Sequence, residues 1–112
     1  MLPTKKRLPR SRIEFLFKKG KRISSNALSA QFLSTKNPSS RFCIAVSTHV
    51  APKAVNRNHL RRQISEILRR SDIPLRTSFD IVLVAKPKLI ELPYKKLAQN
   101  IEEIFKKINT LP

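Results

Sequence analysis

Three stretches of the chain carry apolar residues at the spacing of an amphipathic helix. The first, residues 11–19, has Ile13, Leu16 and Phe17 at positions i, i+3 and i+4. The second, residues 53–70, and the third, residues 93–108, continue this spacing over more than two turns. Their apolar stripes are Leu60, Ile64, Ile67 and Leu68 in the second and Leu97, Ile101, Ile104, Phe105 and Ile108 in the third. We therefore predict three helices that each bury one side.

Local signals mark the ends of the first helix. Ser11 and Glu14 form a capping box, in which each side chain can bind a free backbone N–H at the start of the helix. Gly20, the only glycine in the chain, stands where a C-terminal cap is expected. Residues 1–10 are basic and contain two prolines, so we expect a flexible N-terminal segment.

Three further stretches predict strands. Residues 28–34 and 41–47 are separated by TKNPSS, whose Asn, Pro and Ser residues favour a hairpin turn. Bulky and small side chains alternate in 41–47, and the small face leaves room for a shallow groove. Residues 79–86 are a nearly continuous apolar run, typical of a strand covered on both faces. Because a long helix separates 41–47 from 79–86, we predict that these strands are parallel and that 79–86 is central.

The polar side of the second helix is strongly basic. Next to its apolar stripe we expect a row formed by Asn58, Arg61, Arg62, Ser65 and Arg69. Five arginines lie between residues 57 and 70, and their one acidic neighbour, Glu66, cannot pair with all of them at i,i+4. A solvated helix face is the ordinary explanation for surface charge, but this excess favours a polyanionic partner.

The charge of the whole chain points the same way. Its 112 residues, enough for one domain, include 24 Lys or Arg against seven Asp or Glu, a formal charge of +17 that attracts phosphates. Nucleic acid is favoured over a membrane surface because no basic helix here has the Trp- or Leu-rich face of an interfacial anchor. Five of the seven acids lie at or beyond Asp72, so the acid-poor first part is predicted to form the nucleic-acid face.

Other classes of protein are disfavoured by what the chain lacks. No run approaches 18 apolar residues and no apolar segment follows the basic N-terminus, so we expect neither a membrane span nor a secretory signal, and a cytoplasmic protein. Cys43 is the only cysteine and is expected to be a small buried hydrophobe. His49 and His59 have no neighbouring Cys or His, so no zinc motif is present.

No catalytic constellation is evident in the sequence. Metal-dependent phosphodiester cleavage needs convergent carboxylates, which no acidic pair in the chain predicts. A glycine-rich phosphate loop cannot form with one glycine, and no serine has a GxSxG setting. We therefore predict no catalytic residue and no protein-bound metal.

The segment VNRNHLRRQISE resembles the arginine-rich signature of the bacterial ribonuclease P protein family, in which a VxRNxxxR(K/R)xxxE-like helix follows a strand. The matching residues are Arg57, Asn58, Arg61, Arg62 and Glu66. The resemblance covers almost the whole chain, since RLPRSRIEFLFKKGKR resembles the family's opening helix, FCIAVS the strand before the signature, FDIVLVAKP its last strand and LPYKKLAQNIEEIFKK its closing helix.

This resemblance implies a fold and a function. The fold is α+β, a two-layer α/β sandwich like that of ribosomal protein S5 domain 2, with a central mixed sheet and a left-handed βαβ crossover; a right-handed one is the general expectation. The implied function is that of the protein subunit of ribonuclease P. This subunit binds the catalytic RNA and the 5′ leader of precursor tRNA, and it assists RNA-catalysed, Mg²⁺-dependent removal of the leader. Mg²⁺ and the catalytic groups then belong mainly to the RNA.

The resemblance also implies two sets of binding residues. Those for the catalytic RNA are Lys53, Arg57, Asn58, Arg61, Arg62, Ser65 and Arg69. Those for a leader cleft between the first helix and the sheet are Arg12, Ile13, Phe17, Gln31, Ser47, Thr48 and His49. Arginines suit phosphates because they make bidentate contacts, and apolar side chains suit stacked bases. For Phe17, plain core packing is an equally good interpretation.

The chain departs from the family pattern at three places. The family usually has an aromatic residue at Ile13, two lysines at Thr48 and His49, and an arginine at Ser65. Each departure weakens an implied contact. Two alternatives to a ribonuclease P subunit are considered: a ribosomal or other structural RNA-binding protein of the same fold, and a protein-only metallonuclease, which the missing carboxylate cluster disfavours.

Overall fold

Three α-helices, four strands and one short 3₁₀ helix make up the part of the chain that the computed structural model describes, residues 7–70, 75 and 77–110. In chain order they are α1 (Arg10–Lys19), β1 (Lys21–Ser24), β2 (Leu28–Ser34), β3 (Arg41–Ala45), α2 (Ala54–Arg70), β4 (Phe79–Ala85), the 3₁₀ helix (Pro87–Glu91) and α3 (Tyr94–Thr110). The predicted helices are confirmed to within two residues, while β1 and the 3₁₀ helix were not predicted.

The strands form one mixed sheet in the order β1-β2-β4-β3. β4 pairs antiparallel with β2 and parallel with β3, so the predicted central position and parallel pairing are confirmed. The predicted hairpin between β2 and β3 is wrong, because β4 lies between them. The turn residues between β2 and β3 reverse the chain direction, but they do not determine which strand pairs with β2. The most apolar strand takes the position covered on both faces.

The two faces of the sheet carry different layers. On one face, Phe32, Ile81 and Leu83 belong to the main core, which α2 and α3 cover. On the other face, Val82 packs with Leu16 of α1 in a smaller cluster. The α+β class predicted from the sequence is confirmed, and α1 lies on the opposite side of the sheet from α2.

The ends of α1 differ from the prediction. The helix begins at Arg10 with Pro9 as its N-cap, and no side chain caps it, so the predicted capping box is wrong. Gly20 has an extended backbone, with φ −70° and ψ 152°, and its N–H donates to the carbonyl oxygen of Leu16 at 2.8 Å. A Cβ at this position would lie 2.5 Å from that oxygen. Glycine is required by this close approach and not by a left-handed conformation.

The segment before α1 is ordered where the structure describes it. Arg7 bridges to Phe42 of β3, and the Leu8 N–H donates to the Phe42 carbonyl at 3.1 Å. Leu8 is buried. The prediction of a flexible segment over 1–10 is therefore corrected for residues 7–10, and residues 1–6 lie outside the described residues.

Candidate nucleic-acid interface

The apolar stripe of α2 faces the core as predicted. Ile64 and Ile67 are buried in the main cluster, and Leu60 and Leu68 pack partly against it. The helix begins beside Lys53, whose carbonyl accepts the N–H groups of two residues in the first turn. No acidic residue lies in that turn, so the positive end of the helix dipole is not neutralised by a neighbouring carboxylate.

Three of the five arginines on α2 are held by neighbouring groups. Arg57 donates from one terminal nitrogen to the carbonyls of Ala51 at 3.0 Å and Pro52 at 2.8 Å. Arg61 donates to Oδ1 of Asn58 at 2.8 Å. Arg70 and Glu66 form an i,i+4 ion pair at 2.9 Å. These contacts use part of each guanidinium and restrict its position.

Arg62 and Arg69 are exposed, and within residues 7–70, 75 and 77–110 neither forms a hydrogen bond or an ion pair. They lie on the side of the helix away from the core. A free guanidinium presents a planar array of five N–H donors that fits a phosphate. α2 therefore combines arginines in fixed positions with arginines that no described residue binds.

Ser65 does not continue this exposed row, because it is only 5% exposed. It lines a shallow pocket of about 230 Å³ beside Leu8, Phe42 and Arg61. The chain before α1 pairs with β3 at Phe42 and reaches the same pocket through Leu8. Ser65 thus belongs to the packing between α2 and the sheet edge.

Cys43 lies in the same pocket and packs partly against the α1 cluster. Burial raises the pKa of its thiol, and the nearby Arg61 charge opposes that effect. The side chain is half-buried, close to the buried hydrophobe that the sequence predicted.

The face of the sheet under α1 is only partly covered. Strand pairing places Val82 of β4 between Gln31 of β2 and Cys43 of β3. Two residues further along β4, Val84 lies between Ser29 and Ala45 on the same face. Val82 is fully buried under α1, whereas Val84 and Ala45 are partly exposed. α1 therefore covers one end of this face and leaves the other end open.

The two exposed phenylalanines of α1 lie on opposite flanks of the helix, since each is next to the fully buried Leu16. Phe15, 44% exposed, lies under the guanidinium of Arg12, at 5.0 Å from the ring centre. Arg12 binds Asp80, at the covered end of the sheet. Phe17, 50% exposed, consequently faces the open end, and its interpretation as core packing is wrong. Phe15 was not singled out in the sequence.

Asp80 is fully buried and accepts from two arginines that are distant in sequence. Arg12 Nε donates to Oδ2 at 3.0 Å, and Arg41 donates to both carboxylate oxygens at 3.0 and 2.9 Å. The hydrogen bonds to Asp80 raise the pKa of Arg41. A buried charge persists only when it is paired and hydrogen-bonded in this way. The cluster fixes α1 on the sheet, so Arg12 has a positioning role at the covered end.

The other predicted cleft residues occupy the α1 face or its open end. Ile13 packs against the small α1 cluster. Gln31 lies beside Val82 in the register, and its Oε1 is buried without a hydrogen bond from the described residues. Ser47, Thr48 and His49 are exposed in the turn after β3. The Ser47 carbonyl accepts from two N–H groups of that turn. β3 ends at Ala45 instead of the predicted Ser47.

Comparison with known proteins agrees with this geometry. A family model described as Ribonuclease P matches residues 2–109. This chain belongs to the ribonuclease P protein family. It is therefore a component of the ribonuclease P endoribonuclease complex, which acts in tRNA processing, and membership implies an RNA partner in that complex. The resemblance in the sequence is confirmed, and a ribosomal protein of similar fold is not favoured.

Individual relatives give the same result. The chain is 31% identical over 91 residues to the ribonuclease P protein component of Synechocystis sp., covering 80% of this chain and 73% of that protein. It is 32% identical over 101 residues to that of Synechococcus elongatus, covering 86% and 83%. The solved ribonuclease P protein of Thermotoga maritima superposes with a TM-score of 0.82 at 29% identity, covering 91% of this chain and 96% of that one.

A more distant structure shows the same fold. The Staphylococcus aureus ribonuclease P protein, at 21% identity, superposes with a TM-score of 0.80 over 96% of this chain and 98% of that one.

Among the described residues, no helix is long and apolar enough to cross a membrane.

Proposed function

We propose that α2 is the surface by which this protein binds the catalytic RNA of ribonuclease P. The observation that carries the proposal is the arrangement of its arginines. Arg57 and Arg61 are held in place, and Arg62 and Arg69 have no hydrogen bond or ion pair with the described residues. Glu66 is the one acid of α2 against its five arginines. Lys53 and Asn58 extend the same surface. Such an array recognises the shape and charge of an RNA backbone more than its sequence.

The open end of the α1 face supports binding of the 5′ leader of precursor tRNA. Phe17 offers an exposed ring for base stacking. Gln31 lies on the same face of the sheet, beside Val82. Ser47, Thr48 and His49 lie at the rim as polar groups. Arg12 contributes by holding α1 above the sheet through Asp80.

The chemistry is proposed to belong to the RNA partner, with Mg²⁺ bound mainly there. In the described ranges no three His, Cys, Asp or Glu side chains lie together as a metal site requires, and both oxygens of Asp80 are occupied by arginines. The described residues thus offer no carboxylate cluster for a protein-held magnesium. This protein binds and orients its RNA partners, and a cytoplasmic location stays a prediction.

A reconstitution experiment tests the proposal. Purified protein is added to ribonuclease P RNA at low magnesium, and cleavage of precursor tRNA is measured. Stimulation by the wild-type protein, lost when Arg62 and Arg69 are both changed to alanine, is the expected result. Lys106→Ala and Lys95→Ala on α3 together serve as a charge-matched control. No stimulation by the wild-type protein, or an equal loss in both double variants, would contradict it.

A further inference from the structure

A groove of about 440 Å³ lies on the opposite side of the sheet from the leader cleft, between the first half of α2 and the 3₁₀ helix. One wall is formed by Asn56, His59, Leu60 and Gln63 of α2. The other is formed by Val50, Ala51 and Pro52 and by Leu89, Ile90 and Leu92. Its volume is within the range of about 300 to 1,000 Å³ that is typical of small-ligand sites.

The two walls differ in chemistry. Asn56, His59 and Gln63 are spaced by three and four residues, so they form one line of hydrogen-bonding side chains along α2. The facing wall is apolar, and its Ile90 is 55% exposed although it is a large hydrophobic residue. An unpaired RNA base needs this combination, because its faces are apolar and its edges carry donors and acceptors.

A positive charge stands at one end of the groove. Ala51 and Pro52, which line it, are the residues whose carbonyls hold one terminal nitrogen of Arg57. Among the described residues, the remaining N–H donors of Arg57 have no hydrogen-bond partner. They are available to a phosphate at the point where α2 begins, beside the positive end of its dipole.

We propose that this groove binds one unpaired nucleotide of the catalytic RNA, with its base between Gln63 and Ile90 and its phosphate on Arg57. The inference rests on the proposed docking of α2 onto that RNA. The catalytic RNA is favoured over the precursor leader because the groove and the leader cleft lie on opposite faces of the sheet. A second copy of the chain is disfavoured by repulsion at a charge of +17.

Chemical probing of the complex tests the proposal. Ribonuclease P RNA is treated with dimethyl sulfate and a carbodiimide, with and without protein, and reactive unpaired bases are mapped. We expect one base to become protected by the wild-type protein. Gln63→Ala combined with Ile90→Ser should restore its reactivity and weaken RNA binding about five- to tenfold, as expected for a lost hydrogen bond and apolar contact. Val55→Ala is the control, since Val55 is on α2 and 76% exposed but does not line the groove.

The outcomes separate this proposal from the function on which it rests. If the wild-type protein does not bind the RNA or stimulate cleavage, the proposed function itself fails. If it binds in an Arg62-dependent manner but the groove variant behaves like Val55→Ala, only the nucleotide site is wrong. Protection that needs precursor tRNA would assign the groove to the substrate. A wild-type dimer in sedimentation that Ile90→Ser dissociates would assign it to a second copy. Each of these results overturns the proposal.

Discussion

α2 and α3 have the same length and cover the same face of the sheet, but they differ in apolar burial and in charge. α3 buries five apolar side chains, and its four lysines are opposed by two glutamates. α2 buries two apolar side chains and Ser65, and its five arginines are opposed by one glutamate. α3 mainly packs against the core. α2 buries fewer apolar side chains than α3 and has a larger excess of positive charge on its exposed side.

The difference in charge balance between α2 and α3 shows when a basic helix can be interpreted as a binding surface. Surface charge alone carries little information, because exposed ion pairs form readily and contribute little, as between Glu103 and Lys107 on α3. On α2 the charges exceed the available partners, and two arginines are held by groups other than carboxylates. An excess of positioned positive charge indicates an external anion.

The largest effect is expected from the packing helix. Ile104→Ala should reduce the free energy of unfolding by about 3 kcal/mol, because Ile104 is fully buried and its loss leaves a cavity. Urea unfolding measures the change. The RNA affinity of the folded variant should equal that of the wild type. A loss of affinity without a loss of stability would show that α3 does more than pack against the core.

An intermediate effect is expected on the binding helix. Arg61→Ala or Arg62→Ala should weaken binding to ribonuclease P RNA by roughly 1 to 3 kcal/mol, as expected for a lost charge-assisted contact. Filter binding at near-physiological salt measures it, with Lys106→Ala on α3 as the control. Wild-type affinity in either arginine variant would show that the assigned face of α2 is wrong.

The smallest effect compares one acid on each helix. Glu66→Gln and Glu103→Gln each remove one exposed i,i+4 ion pair, so both should lower stability by no more than about 0.5 kcal/mol. Only Glu66→Gln should increase RNA affinity, because it frees Arg70 and removes the single acid of α2. Equal affinities of the two variants would remove the electrostatic distinction between the helices.

The sequence predicted the helices well because their periodicity is a local property. The apolar stripes of α2 and α3 extend over several turns, and β2 was predicted at its observed bounds, Leu28–Ser34. β1 was missed because it is four residues long, at the edge of the sheet and mostly exposed. The pairing of β2 with β4 was missed, because a turn sequence carries no information on a strand that arrives later in the chain.

The site was predictable only in part, for the same physical reason. The basic side of α2 follows from spacing, and the choice of RNA as the partner came from the family resemblance. The pairing of Asp80 with Arg12 and Arg41 joins residues 68 and 39 positions apart, which no local pattern indicates. The burial of Ser65 likewise depends on how α2 packs against the sheet edge, which no local pattern indicates.

The salt dependence of RNA binding tests the central claim, that α2 is the docking surface, most directly. The affinity for ribonuclease P RNA is measured from low to near-physiological salt for the wild-type protein, Arg62→Ala and Lys106→Ala. A steep fall of log affinity with log salt is expected for the wild type, with a slope shallower by about one unit in Arg62→Ala and unchanged in Lys106→Ala. A flat response, or an equal change of slope in both variants, would contradict it.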